Sequence, residues 1–178
     1  FSKENHVSGS DRIAEFAKNM EVDIIVNVQG DEPLIDKKSL QKLVNTFKLD
    51  KDKKIDLVSL MKVISNMEEI ENPNNVKVVT DSDDFAIYFS RSPIPFNSVS
   101  NPKLNYFKHI GIYGFRKKSL VDFYNSKPTK LELIEKLEQL RYLESGKKIK
   151  MVISNFDGIG IDTMEDLIKA RNLFKWKK

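Results

Sequence analysis

The sequence predicts an α/β domain built on a mostly parallel sheet. Three observations carry this. Short apolar, β-branched runs alternate with segments whose apolar residues recur at helical spacing. The run at residues 24–28, Ile-Ile-Val-Asn-Val, is apolar at consecutive positions, as expected of a strand buried on both faces. Helix-start signals of the capping-box kind stand at Thr129-Lys130-Leu131-Glu132 and Thr163-Met164-Glu165-Asp166.

The elements follow in order. Ser8-Gly9-Ser10-Asp11 precedes an amphipathic helix over 12–20, with Ser10 as its N-cap and Ile13, Phe16, Ala17 and Met20 on one face. A strand follows at 24–28. A second helix runs over 37–47, with Leu40, Leu43, Val44 and Phe47 at helical spacing. Residues 55–63 read as a strand with Leu57, Ser59, Met61 and Val63 on one side. Residues 68–75 contain Asn72-Pro73-Asn74-Asn75 and read as a turn or loop. Residues 76–80 and 85–90 form a strand pair around Asp81-Ser82-Asp83-Asp84. Pro93, Pro95 and Pro102 make the next stretch non-helical. A strand at 107–115 contains Gly111 and Gly114, which mark a bulge or a close backbone approach. A short helix covers 119–124. A longer one runs from Thr129 to Ser145, with Leu133, Leu137 and Leu140 as its core stripe and Gly146 after its end. A strand at 149–153 precedes the last helix. The result is a three-layer α/β sandwich with a Rossmann-like sheet. Residues 81–115 form an antiparallel excursion, suited to a homodimer arm or to a plain meander.

With 178 residues, 40% hydrophobic and 31% charged, the chain suits one domain with a sizeable core. The net charge of +4 is spread among mixed signs, so a nucleic-acid partner is not expected. There is no cysteine, which excludes disulfides and zinc–thiolate sites and fits a reducing, cytoplasmic setting. No apolar run is long enough to span a membrane. The chain starts at Phe1 with residues resembling a protein interior, so an N-terminally truncated domain over 1–178 is expected.

Two turns carry candidate chemistry. Gln29-Gly30-Asp31-Glu32-Pro33 follows the strand at 24–28. Ligands of open α/β sheets sit outside the carboxyl ends of strands, where Asp31 would stand. The alternative is that Asp31 or Glu32 only caps the next helix. Gly158-Ile159-Gly160-Ile161-Asp162 precedes the last helix, and Asp162 alone reads first as a cap. Two carboxylates from separate loops could together hold Mg²⁺, a hard cation that prefers oxygen. His109 sits within a strand, either satisfied by a neighbour or facing the Asp31 edge. Arg91, at a strand end, suits bidentate binding of carboxylate or phosphate, or a surface ion pair. Glu138 and Gln139 flank the leucine stripe. Arg141 would pair with Glu138 three residues away, or join a polar cluster facing a hydroxylated substrate. No Walker A spacing and no Ser/His/Asp triad stands out.

These segments together resemble the 3-deoxy-manno-octulosonate cytidylyltransferase family. The resemblance rests on seven stretches in order: Ser8-Gly9-Ser10-Asp11-Arg12, Val26-Asn27-Val28-Gln29-Gly30-Asp31-Glu32-Pro33, Asn72-Pro73-Asn74-Asn75-Val76-Lys77-Val78-Val79, Tyr88-Phe89-Ser90-Arg91, His109-Ile110-Gly111-Ile112-Tyr113-Gly114-Phe115, Leu137-Glu138-Gln139-Leu140-Arg141 and Gly160-Ile161-Asp162-Thr163-Met164-Glu165-Asp166. It implies transfer of CMP from CTP to the sugar acid 3-deoxy-D-manno-octulosonate (Kdo) for lipopolysaccharide biosynthesis, with Mg²⁺ held by Asp31 and Asp162. It further implies that Gln29, Arg91, His109, Tyr113, Glu138 and Gln139 line the sugar-acid pocket. Ser8, Gly9, Ser10 and Arg12 would lie near the nucleoside. Two departures stand out. The family's first strand and triphosphate-gripping loop are not seen, which predicts little activity for this stretch alone. Met164 replaces a proline usual after the Asp-Thr pair, which only softens the helix start. The competing expectations are a CTP-dependent synthetase for another sugar acid, of the sialic acid type, and a non-catalytic dimerisation or binding piece.

Overall fold

The computed structural model describes residues 9–30, 35–100, 104–156, 161 and 163–173. Its elements are α1 (Gly9–Lys18), β1 (Ile24–Asn27), α2 (Lys37–Leu49), β2 (Leu57–Ile64), α3 (Met67–Glu71), β3 (Lys77–Thr80), β4 (Ala86–Ser90), β5 (Tyr106–Arg116), α4 (Lys117–Tyr124), α5 (Lys130–Glu135), α6 (Gln139–Glu144), β6 (Ile149–Ile153) and α7 (Met164–Leu173). The strands form one sheet in the order β4-β3-β5-β2-β6, with β1 also paired to β5. β5 is the spine. β2 runs along the length of one of its edges, while β3 and β1 share the other.

The α/β sandwich is as expected, and the sheet is refined in one respect. β1, β2, β3 and β6 all run the same way, but the reversed β5 lies between them. The β2–β6 ladder is therefore parallel and the other described ladders are antiparallel.

Both faces of the sheet are covered. On one, Ala14 and Ala17 of α1, Leu120 and Phe123 of α4, and Leu140 and Tyr142 of α6 pack on Leu57, Met61, Phe89, Phe115 and Met151. On the other, Leu43 and Phe47 of α2 pack on Val58, Leu60, Ile110 and Ile112. β2 feeds both cores from alternate positions, as a central strand must. Gly114 lets α2 approach β5: a Cβ there would lie 2.2 Å from Leu43 Cδ2 and 2.9 Å from Phe47 Cε2.

Several expectations give way to packing. β1 is not buried on both faces, since Val26 and Val28 are exposed and β5 is its one neighbour among the described residues. α1 already includes Ser10, which is buried within the helix rather than capping it. Its buried face is Ser10, Ala14 and Ala17, while Phe16 and Met20 are half exposed. The small residues face inward because α1 packs closely on α4. Residues 67–71 form a helical turn, because the Asn66 side chain caps it by accepting from the Glu68 N–H at 3.0 Å. The helix expected from Thr129 to Ser145 is two helices. Lys136 turns the chain with φ of 56°, so Leu137 and Leu140 stay buried while Leu133 is exposed.

Candidate functional site

The sheet brings a polar strip to the carboxyl end of β1. Directly opposed residues of an antiparallel pair share a face. Asn27 of β1 and Ser59 of β2 both lie opposite Tyr113 of β5, so all three occupy the α1/α6 face. Beyond Ser59 the register slips, because Leu60 pairs with Ile110 and leaves Gly111 and Ile112 as extra residues on β5. Two extra residues keep the alternation of β5, so His109 shares the face of Tyr113, and the bulge that the glycine anticipated draws it up opposite Met61, two positions from Ser59. The rings of His109 and Tyr113 lie 5.4 Å apart, and Phe89 meets His109 edge-on at 5.1 Å.

His109 is buried, and desolvation holds its pKa down at about 3. At neutral pH it is an uncharged hydrogen-bonding group and a weak base. Its Nε2 lies 2.8 Å from Ser59 Oγ. Gln139 is buried at the start of α6, and the Tyr113 hydroxyl donates to its Oε1 at 3.4 Å. The turn at Lys136 is what delivers Gln139 to this face, with the partly buried Glu138 beside it in the chain. Gln29 is half-buried beyond β1, and a Cβ on Gly9 would sit 3.7 Å from its Oε1. The start of α1 therefore lies against the turn that follows β1. Ser10 is buried there and Arg12 is exposed.

Arg91 stands at the end of β4 and is bound chiefly to backbone. Its Nε donates to Glu135 O at 2.9 Å and its Nη1 to Pro73 O at 3.0 Å. The Glu135 carboxylate accepts from the Arg91 N–H and from Ser90 Oγ. Lys77, fully buried nearby, donates to Asn72 O at 3.0 Å. Burial lowers its pKa, the Arg91 charge lowers it further, and Glu135 opposes them. These contacts set the direction of the Arg91 guanidinium and leave Nη2 outside them.

Arg141 has a different main partner from the one expected. It makes a two-point buried ion pair with Glu132, with Nε to Oε2 at 2.7 Å and Nη2 to Oε1. Glu132 also accepts from the Thr129 N–H at 3.0 Å, so this pair ties α5 to α6. The break at Lys136 makes it possible by folding α6 back on α5.

Asp31, Asp162 and Ser8 lie outside the described residues. Among those described, no group of three or more His, Asp or Glu could hold a metal. The flanks of the two aspartate loops are informative. The N-cap of α2 is Asp36, whose Oδ1 accepts from the Ser39 N–H at 2.9 Å, so neither Asp31 nor Glu32 is needed as a cap. Ser39 Oγ meets Ser154 Oγ, just past β6, at 2.7 Å. The residues after the first loop thus touch the residues before the second.

Asn27 and Ser59 were not singled out from the sequence. Asn27 Nδ2 is buried with no hydrogen-bond partner among the described residues, and Ser59 is fully buried. The available signal was a lone polar residue inside each apolar run, which is ambiguous until the neighbouring strand is known.

A single sheet covered by helices, with its polar strip at the carboxyl end of β1, defines an α/β enzyme of the nucleotidyltransferase fold. The chain belongs to the cytidylyltransferase family, whose family model matches residues 1–149. It is 58% identical to the 3-deoxy-manno-octulosonate cytidylyltransferase of Flavobacterium johnsoniae, over 98% of this chain and 71% of that protein. It is 56% identical to the protein of the same name from Christiangramia forsetii, over 97% of this chain and 69% of that one. Among solved structures it is similar to a CMP:2-keto-3-deoxy-manno-octonic acid synthetase complexed with CTP. That match has a TM-score of 0.89 and 36% identity, over 96% of this chain and 69% of that one. HddC from Yersinia pseudotuberculosis, at 18% identity and a TM-score of 0.64, shares the fold.

Proposed function

We propose that the protein transfers CMP from CTP to Kdo, giving CMP-Kdo and pyrophosphate for lipopolysaccharide biosynthesis. The observation that carries this reading is the 58% identity with a 3-deoxy-manno-octulosonate cytidylyltransferase across nearly the whole chain. The CTP-complexed structural relative supports the nucleotide. In this reaction the anomeric hydroxyl of Kdo attacks the α-phosphorus of CTP. A new P–O bond forms as the bond to the bridging oxygen breaks, and pyrophosphate leaves with the electron pair.

The residues divide between the substrates. Ser8, Gly9, Ser10 and Arg12 are assigned to the nucleotide, at and before the start of α1. Gln29, His109, Tyr113, Glu138 and Gln139 form the polar wall for a hydroxylated sugar acid. Arg91, with Nη2 uncommitted among the contacts described, is assigned to its carboxylate. The buried neutral His109 orients a hydroxyl rather than removing a proton. Asp31 and Asp162 are the proposed Mg²⁺ ligands. Two carboxylates offer the oxygen donors this cation prefers, and the Ser39–Ser154 contact between the loop flanks supports their meeting. When bound, Mg²⁺ neutralises phosphate charge.

We read the antiparallel excursion over residues 81–115 as a homodimer arm, supported by Phe96 and Val99 within it, which are 88% and 80% exposed. A cytoplasmic setting fits the use of CTP and the lack of cysteine. Among the described residues, no helix is long and apolar enough to cross a membrane.

Pyrophosphate release measured with CTP and Mg²⁺ on the full-length protein that carries this stretch tests the reading. Turnover with Kdo is expected, and equal turnover of sialic acid would overturn the Kdo assignment. Asp31→Asn and Asp162→Asn are each expected to lower kcat by about 100-fold or more. Wild-type rates in both would remove the metal assignment.

A further inference from the structure

Ser59 lies under the candidate site, deep in β2, and its hydroxyl meets three groups. It is 2.9 Å from Ile112 O, 3.2 Å from Ile110 O and 2.8 Å from His109 Nε2. A hydroxyl has one hydrogen to donate and two lone pairs to accept with. Carbonyl oxygens cannot donate, so the single hydrogen must point to one of them or be shared between both. If it pointed at His109 instead, two carbonyl oxygens would face bare hydroxyl lone pairs at 2.9 and 3.2 Å in a fully buried spot, an acceptor-to-acceptor repulsion that the other arrangement avoids. His109 Nε2 must therefore carry a hydrogen and donate it to Ser59.

These carbonyls reach Ser59 only because of the bulge. Without the two extra residues on β5, Ile110 O and Ile112 O could not both turn toward one serine. The motif's glycine at 111 is the visible mark of this arrangement. A Cβ there would meet nothing within 4 Å, so neighbouring side chains do not demand the glycine.

We propose that Ser59 is a positioning residue that fixes His109 as its neutral Nε2–H tautomer, leaving Nδ1 as a hydrogen-bond acceptor for a hydroxyl of the substrate. The second half rests on the sugar-acid reading above. No described residue is bonded to Nδ1, while Phe89 and Tyr113 hold the ring in place by their faces and edges. An acceptor placed this way selects for a hydroxyl donor. A sugar acid lacking that hydroxyl leaves a desolvated nitrogen without a partner, which is the stronger form of discrimination.

The test is the imidazole nitrogen spectrum of the ¹⁵N-labelled protein. The chain has two histidines, so His6→Gln leaves His109 as the sole signal. A protonated, pyrrole-type Nε2 and an unprotonated, pyridine-type Nδ1 are expected, constant from pH 5 to 8. The reverse tautomer, or an imidazolium, would overturn the proposal. Ser59→Ala, checked for folding by its backbone amide spectrum, is expected to lose the single tautomer. It should raise KM for the sugar acid by about 3- to 30-fold, with kcat within about twofold. If Ser59→Ala fails to fold, the wild-type spectrum still decides the tautomer. Adding Kdo to the full-length protein with CTP and Mg²⁺ should move the Nδ1 signal. Kdo binding seen by calorimetry without that movement sinks the acceptor role and leaves the function standing. Absence of Kdo binding removes the functional reading and the acceptor role together, while the tautomer assignment keeps its own spectrum as judge.

Discussion

At the scale of single residues, the two glycines of β5 serve different ends. Gly114 faces α2, and an added methyl would run into Leu43 and Phe47. Gly114→Ala is expected to destabilise by about 1–3 kcal/mol, as overpacking of a tight core does. Gly111→Ala points into open space and is expected to change stability by less than about 0.5 kcal/mol. Thermal unfolding of both variants checks the contrast. Asp50 is a second case. Burial pushes its pKa up, but the Ile55 N–H, the Arg116 guanidinium and the Lys54 N–H together hold it below the ordinary carboxylate value. A depressed folded pKa contributes stability that is present above the unfolded value near 4 and is lost as pH falls through the folded one. Asp50→Asn should therefore cost about 1.5–3 kcal/mol at pH 7, the range for a charge-assisted bond. Unfolding curves of the two proteins should converge as pH drops well below 4, and a constant gap would contradict this account.

At the scale of elements, the α5–α6 break is the feature that shapes the site. Lys136 adopts a left-handed conformation, which costs an L-residue roughly 1–2 kcal/mol. It is exposed, and no side-chain contact of Lys136 accounts for the turn. What holds the turn is the buried Glu132–Arg141 pair on either side and the burial of Leu137 and Leu140. Lys136→Gly should relieve the backbone and raise stability by about 0.5–1 kcal/mol, with the site unaltered. Chemical denaturation provides the measurement, and a loss of stability would show that Lys136 contributes something besides its backbone angle.

At the scale of the whole molecule, the sheet's outer strand β4 and the stretch after it carry exposed Ile87, Phe96 and Val99. Exposed apolar side chains gathered this way suit an interface with a second copy. If the homodimer reading holds, Phe96→Asp together with Val99→Asp should shift sedimentation from dimer to monomer without loss of secondary structure. An unchanged mass would retire the dimer arm.

Much of this organisation was legible in local sequence. Hydrophobic period and turn chemistry placed the helix at 37–47, which the structure extends to Leu49, the hairpin around residues 81–84 and the strand at 149–153, because each depends on neighbours in the chain. The motif glycines foretold both the bulge and the close approach on β5. What sequence could not assign were features set by distant contacts. The exposure of β1 depends on what lies beside it. The inward face of α1 depends on its closeness to α4. The split of the helix expected over 129–145 is held by an ion pair across the turn. Ser59 and Asn27 looked like interruptions of apolar strands until pairing with β5 set them on the side of His109 and Tyr113. The amino-acid sequence by itself determined the fold class and family, since periodicity and ordered motifs are properties of the chain. Only the tertiary structure decided which polar groups share a face and which histidine nitrogen meets Ser59. Those outcomes follow from strand register, which lies in pairings between residues far apart in sequence.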